Sequence, residues 1–270
     1  MKSVGSIKKI TKAMKMVSAS KMKGDLRRLD AGRHFGCDAV DMIFKSDQFL
    51  QRKMPGDIAD PTMVLVPITS DKGLCGGVNS SIVKAVKTAV AGKNRSKIQI
   101  FSIGDKGSVG MMRPFPDMLK FSISRIGTPY NYPVVMAMAV HITNLSQDAD
   151  KVVIVFNEFK SAISYVQKQM EVMPKKRFLE TMSYAKLYNQ TLPDKNTSNV
   201  ALYDLYLTSN LWVAFLNNAA SEQSARMQAM ENASKNAGEI LDKLTLKYNK
   251  ARQARITMEL VEIISGASAL

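Results

Sequence analysis

The sequence contains few of the residues from which disulfide scaffolds and metal sites are built. Of its 270 residues, two are cysteine (Cys37 and Cys75) and two are histidine (His34 and His141). A single possible cysteine pair argues against a stapled secreted fold and fits a reducing compartment. The four residues are too scattered to predict a metal site. No apolar run approaches the roughly 20 residues that a membrane-spanning helix requires.

Proline is absent from both ends of the chain. All nine prolines lie between Pro55 and Pro193. Because proline costs about 3 kcal/mol inside a helix, this distribution predicts two long helices flanking a globular middle. We therefore expect an N-terminal coiled-coil helix (1–54), a central body (55–198) and a C-terminal coiled-coil helix (199–270).

Apolar residues recur at spacings of three and four in both arms, which is the period of a coiled coil. The N-terminal series comprises Ile7, Ile10, Met14 and Val17. The C-terminal series comprises Met227, Met230, Ser234, Ala237, Leu241, Leu244, Tyr248 and Ala251. These stripes predict that each arm pairs with a partner helix. Since the body lies between the arms in the chain, they can pair antiparallel as one stalk.

The C-terminal arm is expected to extend past its partner. At 1.5 Å per residue the first arm spans at most about 80 Å, and the last spans about 100 Å. Arg255 and Glu262 fall where the apolar series would continue, so the coiled-coil pattern decays there. After Arg255 only Glu259 and Glu262 are charged. Because exposed chain ends are usually polar, we expect other chains to cover this apolar tip.

The middle of the chain alternates strand and helix patterns. Strand candidates lie at residues 62–69, 97–103 and 151–159, and residues 162–173 could extend the sheet. This alternation predicts a parallel sheet with crossover helices. The expected fold class is therefore α/β: a long antiparallel two-helix coiled coil, formed by the N- and C-terminal helices, with a central Rossmann-like α/β domain.

Two glycine-bearing turns lie where phosphate-binding loops occur. SDKGLCGG (70–77) follows the first strand, and GDKGSVG (104–110) follows the second. The first lacks a Gly-Lys-Ser/Thr ending, and the second is GxxGxxG, not the GxGxxG that fits a pyrophosphate. A tight strand-to-helix turn is the favoured interpretation of the first, and nucleotide binding is favoured even less at the second. A nucleotide-binding enzyme built on the Rossmann-like domain is the alternative function.

The chain is strongly basic, with 38 Lys and Arg against 23 Asp and Glu and a formal net charge of +15. This balance predicts an acidic partner surface. The basic N-terminal arm has no aromatic residue before Phe35 to stack on bases, so a coiled-coil nucleic-acid or scaffold protein is only a third hypothesis. Ser18 and Lys21 form an SxxK, but no segment supplies a base and an oxyanion hole. A mechanical or binding role is favoured.

Four segments together resemble the gamma subunit of F-type ATP synthase. They are ITKAMKMVSASKMK (10–23), SDKGLCGGVNSS (70–81), SEQSARMQAMENASKNAGEILDKLTLKYNKARQARIT (221–257) and ELVEIISGASAL (259–270). The resemblance covers the whole chain in order. The amino-acid sequence of the middle, KIQIFSIGDKG included, is more similar to mitochondrial members than to bacterial ones. The sequence begins a little inside the family's first helix, so we expect a short upstream turn to be missing.

This resemblance implies a non-catalytic rotor subunit of the central stalk, present in one copy per complex. Its paired helices would thread a hexamer of three alpha and three beta subunits. Its body, with small epsilon- or delta-type subunits, would sit on the c-ring, the only contact with the membrane. Hydrogen ion transport would turn the shaft and drive ATP synthesis on the beta subunits. No cofactor and no nucleic acid are implied. The implied location is the matrix face of the mitochondrial inner membrane or, alternatively, the cytoplasmic face of a bacterial plasma membrane.

The resemblance also implies roles for individual residues. Arg252 and Gln253 match a pair that contacts a catch loop of the beta subunit. Met14, Thr257 and Glu259 match positions of the rotor neck and of helix pairing. The apolar tip inside its sleeve would comprise Ile256, Leu260, Ile263 and Ile264. The sequence departs from many members at Arg255 and Met258, close to the catch.

Overall fold

Long helices lie at both ends of the protein, and a sheet lies between them in a computed structural model that describes residues 1–34, 60–182 and 195–268. Helix α1 (Lys2–Arg33) has 32 residues and the last helix, α6 (Lys195–Ser268), has 74. At 1.5 Å per residue, α6 is about 110 Å long. The predicted N-terminal arm beyond residue 34 lies outside the described residues, as does Cys37.

Within the described residues five strands form one sheet in the order β3-β2-β1-β4-β5. They are β1 (Met63–Pro67), β2 (Ile98–Ile103), β3 (Leu119–Ile123), β4 (Lys151–Phe159) and β5 (Tyr165–Val172). Strands β1 to β4 are parallel, and β5 pairs antiparallel with β4. The predicted parallel sheet is therefore confirmed, and residues 162–173 extend it as the antiparallel β5. Strand β3 was not predicted.

Four shorter helices are present among the described residues of the body: α2 (Val78–Val90), α3 (Asp105–Met112), α4 (Tyr132–Leu145) and α5 (Lys175–Met182). On one face of the sheet, Ile82 of α2 and Met111 of α3 are buried in a cluster with Ile100. On the other face, Ile142 of α4 and Leu211 of α6 are buried in a second cluster. The long C-terminal helix is thus part of the core of the body before it leaves it.

Helices α1 and α6 pair antiparallel, as predicted. Near the body, Leu29 packs with Leu216 and Ala220. Farther out, Lys15 Nζ lies 3.0 Å from Glu231 Oε1. With increasing distance from the body, the contacts involve lower residue numbers on α1 and higher ones on α6. The two helices therefore run antiparallel and form one shaft. The expected fold class is confirmed.

The face of α1 that meets α6 is not the predicted one. Ile7, Ile10 and Val17 are 51%, 58% and 57% exposed, and Met14 is half-buried. The apolar series Ile7, Ile10, Met14 and Val17, which we call the outer stripe, therefore lies mostly on the outside of the shaft. The prediction that it forms the pairing face is wrong, because periodicity identifies a face without identifying its neighbour.

Small and hydroxyl side chains face α6 instead. The buried residues of α1 are Thr11, Ser18, Leu29 and Gly32, and of these only Leu29 has a large apolar side chain. Thr11 Oγ1 donates to the carbonyl of Ile7 at 3.0 Å, so its buried hydroxyl is satisfied within its own helix. A Cβ on Gly32 would collide with Leu216, which shows how closely the helices approach there.

Pairing ends well before the end of α6. Met230 and Ala237 are buried, as their place in the C-terminal series predicts. Leu244 is 36% exposed, and all described residues from Leu246 to Ser268 are exposed. This last segment, which we call the tip, is about 34 Å long. The prediction of a tip that stands single within this chain is confirmed.

Candidate functional site: the exposed shaft and its joint with the body

One side of the tip is apolar. Ile256, Leu260, Ile263 and Ile264 are 46%, 53%, 68% and 64% exposed. Their spacings place them on one side of the helix, and Arg252 continues that side by one turn toward the body. We call these four residues the tip stripe. An exposed apolar surface that projects from a folded protein is typical of a docking site.

Two hydrogen-bonded polar pairs share the turns of the tip with this stripe. Arg255 Nε donates to Glu259 Oε1 at 2.8 Å, and both side chains are largely exposed. Thr257 Oγ1 donates to the carbonyl of Gln253 at 2.9 Å. Arg255 thus pairs with Glu259 inside this chain. Arg252, on the tip-stripe side, forms no ion pair with another described residue. Polar side chains therefore lie close to the tip stripe, and Met258 and Val261 are further exposed apolar residues outside it.

The structure brings most of the predicted site residues together and separates one of them. Arg252, Gln253, Thr257 and Glu259 lie within two turns of the exposed helix. Met14 lies on α1 beside Lys15, which pairs with Glu231, far down the shaft from the tip. The outer stripe on α1 is a second exposed apolar surface, which sequence reasoning assigned to the interior of the coiled coil.

At its other end, α6 occupies the crevice at the carboxyl ends of the parallel strands. The strand order reverses between β1 and β4, and open α/β sheets bind ligands at such a point. Here Ser221 Oγ donates to the carbonyl of Asn157 at 3.1 Å. Asn157 Nδ2 donates to Asn218 Oδ1 at 3.2 Å. The chain's own helix therefore stands where a nucleotide would bind.

The loop SDKGLCGG is closed by an arginine of α6. Arg226 donates to the carbonyl of Gly73 from Nε and Nη2, each at 3.3 Å. Its Nη2 also pairs with Glu222 Oε1, and both side chains are under 10% exposed. Burial raises the pKa of Glu222, and the Arg226 charge acts in the opposite direction. The loop carbonyls thus face a buried guanidinium of the shaft helix.

The GxxGxxG turn serves close packing. Gly104, with φ of 96°, and Gly107 both lie against Thr69, and a Cβ on either would collide with it. Thr69 Oγ1 accepts a hydrogen bond from the Gly107 N–H at 2.9 Å. Asp71 accepts from the N–H of Asp105 at 3.0 Å and so joins the two glycine-bearing turns. SDKGLCGG connects β1 to α2, as the interpretation as a strand-to-helix turn requires, whereas GDKGSVG turns at Gly104 and then forms most of α3.

Cys75 is buried within the loop SDKGLCGG. Asn79 Nδ2 donates to its Sγ at 3.2 Å, and burial raises the pKa of the thiol. In the described part of the chain, no three or more histidine, cysteine, aspartate or glutamate side chains are placed together to hold a metal ion. None of the helices in the described ranges combines the length and the apolar character needed to cross a membrane.

The sequence is similar to proteins of one family over its whole length. A family model described as ATP synthase matches residues 1–270. The mitochondrial ATP synthase gamma subunit of Drosophila melanogaster is 36% identical, over 100% of this chain and 88% of that protein. The corresponding subunit of Rattus norvegicus is 34% identical, over 100% of this chain and 96% of that protein.

Solved structures of the same kind share the fold. A chain in the central stalk and c-ring structure of Tetrahymena thermophila mitochondrial ATP synthase is 43% identical, with a TM-score of 0.75 over 83% of this chain and 99% of that chain. A chain in a Euglena gracilis mitochondrial ATP synthase structure has a TM-score of 0.79 over 99% of this chain and 91% of that chain. Its identity is 21%, so that likeness concerns the fold alone.

Proposed function

The chain belongs to the family of ATP synthase gamma subunits, and on that premise we propose that it is the central-stalk rotor subunit of an ATP synthase. One observation of the structure carries this proposal. A single exposed helix with an apolar stripe projects about 34 Å past the end of its partner, on a shaft rooted in a folded body. In this proposal the arms (1–54 and 199–270) form the shaft, and residues 55–198 form its foot.

The tip is suited to turning inside an apolar sleeve. Burying a leucine or isoleucine side chain contributes about 1.5–3 kcal/mol, so the tip stripe can hold the shaft in place. This contribution is non-directional, and it therefore favours no single rotation angle in a smooth sleeve. The sleeve would be formed by the hexamer of three alpha and three beta subunits, in which one copy of this chain turns.

The polar residues of the tip would make the contacts that depend on the rotation angle of the shaft. Arg252 and Gln253 lie at the base of the tip stripe and are exposed. We propose that they contact a catch loop of one beta subunit at a time, for which the arginine fork is suited. Thr257 and Glu259 lie within two turns of this pair and belong to the same contact. Each angle then stabilises a different state in each beta subunit, and rotation shifts those populations in turn.

The outer stripe and the basic residues around it would form the neck of the rotor. Met14 lies half-buried at the edge of the outer stripe, and Lys8, Lys9 and Lys12 are exposed on the same helix. An acidic surface of the beta subunits is the complementary partner. Because exposed ion pairs contribute about 0–1 kcal/mol and are screened within about 8 Å, they attract the shaft without stopping it.

We assign no catalytic step, no cofactor and no nucleic-acid contact to this chain. In support, α6 side chains fill the crevice in which the alternative function, a nucleotide-binding enzyme, would need its ligand. The foot would contact small epsilon- or delta-type subunits and the c-ring, through which the complex meets the membrane. The mitochondrial relatives favour the matrix face of the inner membrane over a bacterial plasma membrane.

The decisive residue substitution is Arg252→Ala in the assembled complex. If Arg252 donates hydrogen bonds to a beta subunit, their loss costs about 1.5–3 kcal/mol and lowers coupled turnover by at least about tenfold. Lys250→Ala is the matched control, since this exposed cation lies on another side of the same turn. Unchanged turnover in Arg252→Ala would remove the proposed contact. A chain that fails to co-purify with alpha and beta subunits would contradict the rotor function itself.

A further inference from the structure

We propose that a cluster of buried polar side chains fixes the rotational angle of the shaft helix in the body, so that torque passes between them without slip. This cluster, which we call the joint, comprises Asn157, Asn217, Asn218, Ser221, Ser224 and Arg226. The inference rests on the proposed rotor function, because only a rotor carries torque across this place. The residues of the joint would act as positioning residues that hold α6 at a fixed angle in the body.

Strand β4 provides the first half of the joint. The N–H of Phe159 donates to Asn217 Oδ1 at 3.3 Å. Asn157 donates to Asn218 and accepts from Ser221 through its carbonyl, at 3.2 and 3.1 Å. Asn157 and Asn218 are fully buried. Consecutive turns of α6 are therefore hydrogen-bonded to the carboxyl end of one central strand.

Two other segments of the body provide the second half. Ser224 Oγ donates to the carbonyl of Ala162, in the turn between β4 and β5, at 2.8 Å. Arg226 donates to the carbonyl of Gly73, in the loop after β1. Asn217 and Arg226 are nine positions apart, which is half a turn out of phase on a helix. The body thus holds α6 from two sides.

Hydrogen bonds resist rotation in a way that apolar contacts do not. Side chains lie about 5–6 Å from a helix axis, so turning α6 by about 30° would move them by about 3 Å. Hydrogen bonds do not survive such a displacement, and their buried groups would lose their partners. Apolar contact is non-directional and can be exchanged during a turn. Closer to its start α6 packs through apolar side chains such as Leu207, Leu211 and Phe215, and the joint adds directional contacts to that packing.

The first test is Arg226→Met in the complete complex, since methionine keeps an unbranched side chain but removes all five donors. We expect proton-driven ATP synthesis to fall at least about fivefold. ATP hydrolysis by the chain assembled with alpha and beta subunits alone should change by less than about 1.5-fold, because unloaded rotation puts no torque on the joint. Gln228→Met, an exposed position half a turn away, is the control and should change neither rate.

The second test replaces the lost hydrogen bonds by a covalent bond. A Cβ on Gly76 would lie 4.0 Å from the Ala229 Cβ, within the range that a disulfide spans. In the Arg226→Met background, oxidised Gly76→Cys/Ala229→Cys should recover most of the synthesis rate, and a thiol reductant should abolish the recovery. Because Gly76 has φ of 60°, the same cysteine pair with Arg226 intact is needed as a reference.

Two results would overturn the inference. One is a normal synthesis rate in Arg226→Met. The other is a parallel loss of synthesis and unloaded hydrolysis that the disulfide does not restore, since that pattern means Arg226 supports folding or assembly alone. Both differ from a failure of the proposed function, in which the unaltered chain does not assemble with alpha and beta subunits at all.

Discussion

Glu222 is a carboxylate that the fold keeps out of water. Its side chain lines a cleft between helix α1 and residues 128–130, and its ion pair with Arg226 is almost fully buried. Burial raises its pKa from the ordinary 4.5, and Arg226 acts in the opposite direction. Asp25 of α1 lines the same cleft, and burial raises its pKa as well. Two carboxylates therefore meet where α1, α6 and the body come together.

The pH dependence of stability should report this burial. A carboxyl group whose pKa is raised in the folded state adds stability below its unfolded pKa, and this contribution disappears as pH rises through the folded pKa. We therefore expect the contribution of these two carboxyl groups to the free energy of unfolding to decline as pH rises above about 4.5. Glu222→Gln should remove part of this decline, and Asp25 should maintain the rest. Denaturant titrations of the full chain at several pH values measure it.

Glu231 provides a control of opposite sign. It is more exposed than Glu222, and its hydrogen bond with Lys15 lowers its pKa. Its contribution is present above the unfolded pKa and is lost as pH falls through the folded pKa. Glu231→Gln should therefore leave the decline above pH 4.5 unchanged. An unaltered decline in Glu222→Gln would show that Glu222 is not its source.

Among the elements, α1 shows what hydrophobic periodicity can and cannot decide. The absence of proline predicted both end helices, the spacing of apolar residues predicted that each has a partner helix, and the position of the body between them predicted their antiparallel pairing. It selected the wrong face of α1, because a stripe of large apolar residues usually marks a seam. The backbones of α1 and α6 approach each other so closely that Thr11, Ser18 and Gly32 line most of the seam, with Leu29 as its one large apolar residue. The outer stripe is left to contact another surface. Thr11, Ser18 and Gly32 are too weakly hydrophobic for a periodicity argument to select their face over the outer stripe as the pairing face.

The sheet and the joint show the same limit. Strands β1, β2 and β4 are buried apolar runs and could be predicted, whereas the edge strand β3 is mostly exposed and has no such run. The joint could not be predicted from local pattern at all. Arg226 binds a carbonyl 153 positions away, and Ser221 binds one 64 positions away. Contacts of that kind depend on the packed position of α6 across the sheet.

The close approach of the helices can be tested at one glycine. Gly32→Val should lower the free energy of unfolding by about 1–3 kcal/mol, since its side chain would overlap Leu216 and Trp212. Gly24→Val is the matched control on the same helix, because nothing lies within 4 Å of the Cβ that it adds. Its effect should stay within about 0.5 kcal/mol. Equal effects of the two substitutions in denaturant titrations would contradict the seam described for α1.

At the scale of the whole molecule, three zones follow one another along α6 and differ in their physical chemistry. The helix is first embedded in the body, then paired with α1, and finally exposed along the tip. Directional hydrogen bonds dominate at the joint, and exposed apolar side chains dominate at the tip. This order suits a part that must be held without slip at one end and must turn freely at the other.

The tip also predicts how the chain behaves alone and in its complex. Replacing the tip stripe by glutamine, as Ile256→Gln, Leu260→Gln, Ile263→Gln and Ile264→Gln together, should reduce self-association of the isolated chain, because a large exposed apolar patch is removed. The same variant should assemble less tightly with alpha and beta subunits, since each residue forfeits about 1.5–3 kcal/mol of burial.

Leu246→Gln, 71% exposed and outside the tip stripe, controls for a general gain in solubility. Sedimentation of the free chain and co-purification with the hexamer measure the two effects. If the quadruple variant assembles as tightly as the unaltered chain, the tip stripe is not buried by the partner subunits, because four lost apolar contacts cannot leave their binding energy unchanged.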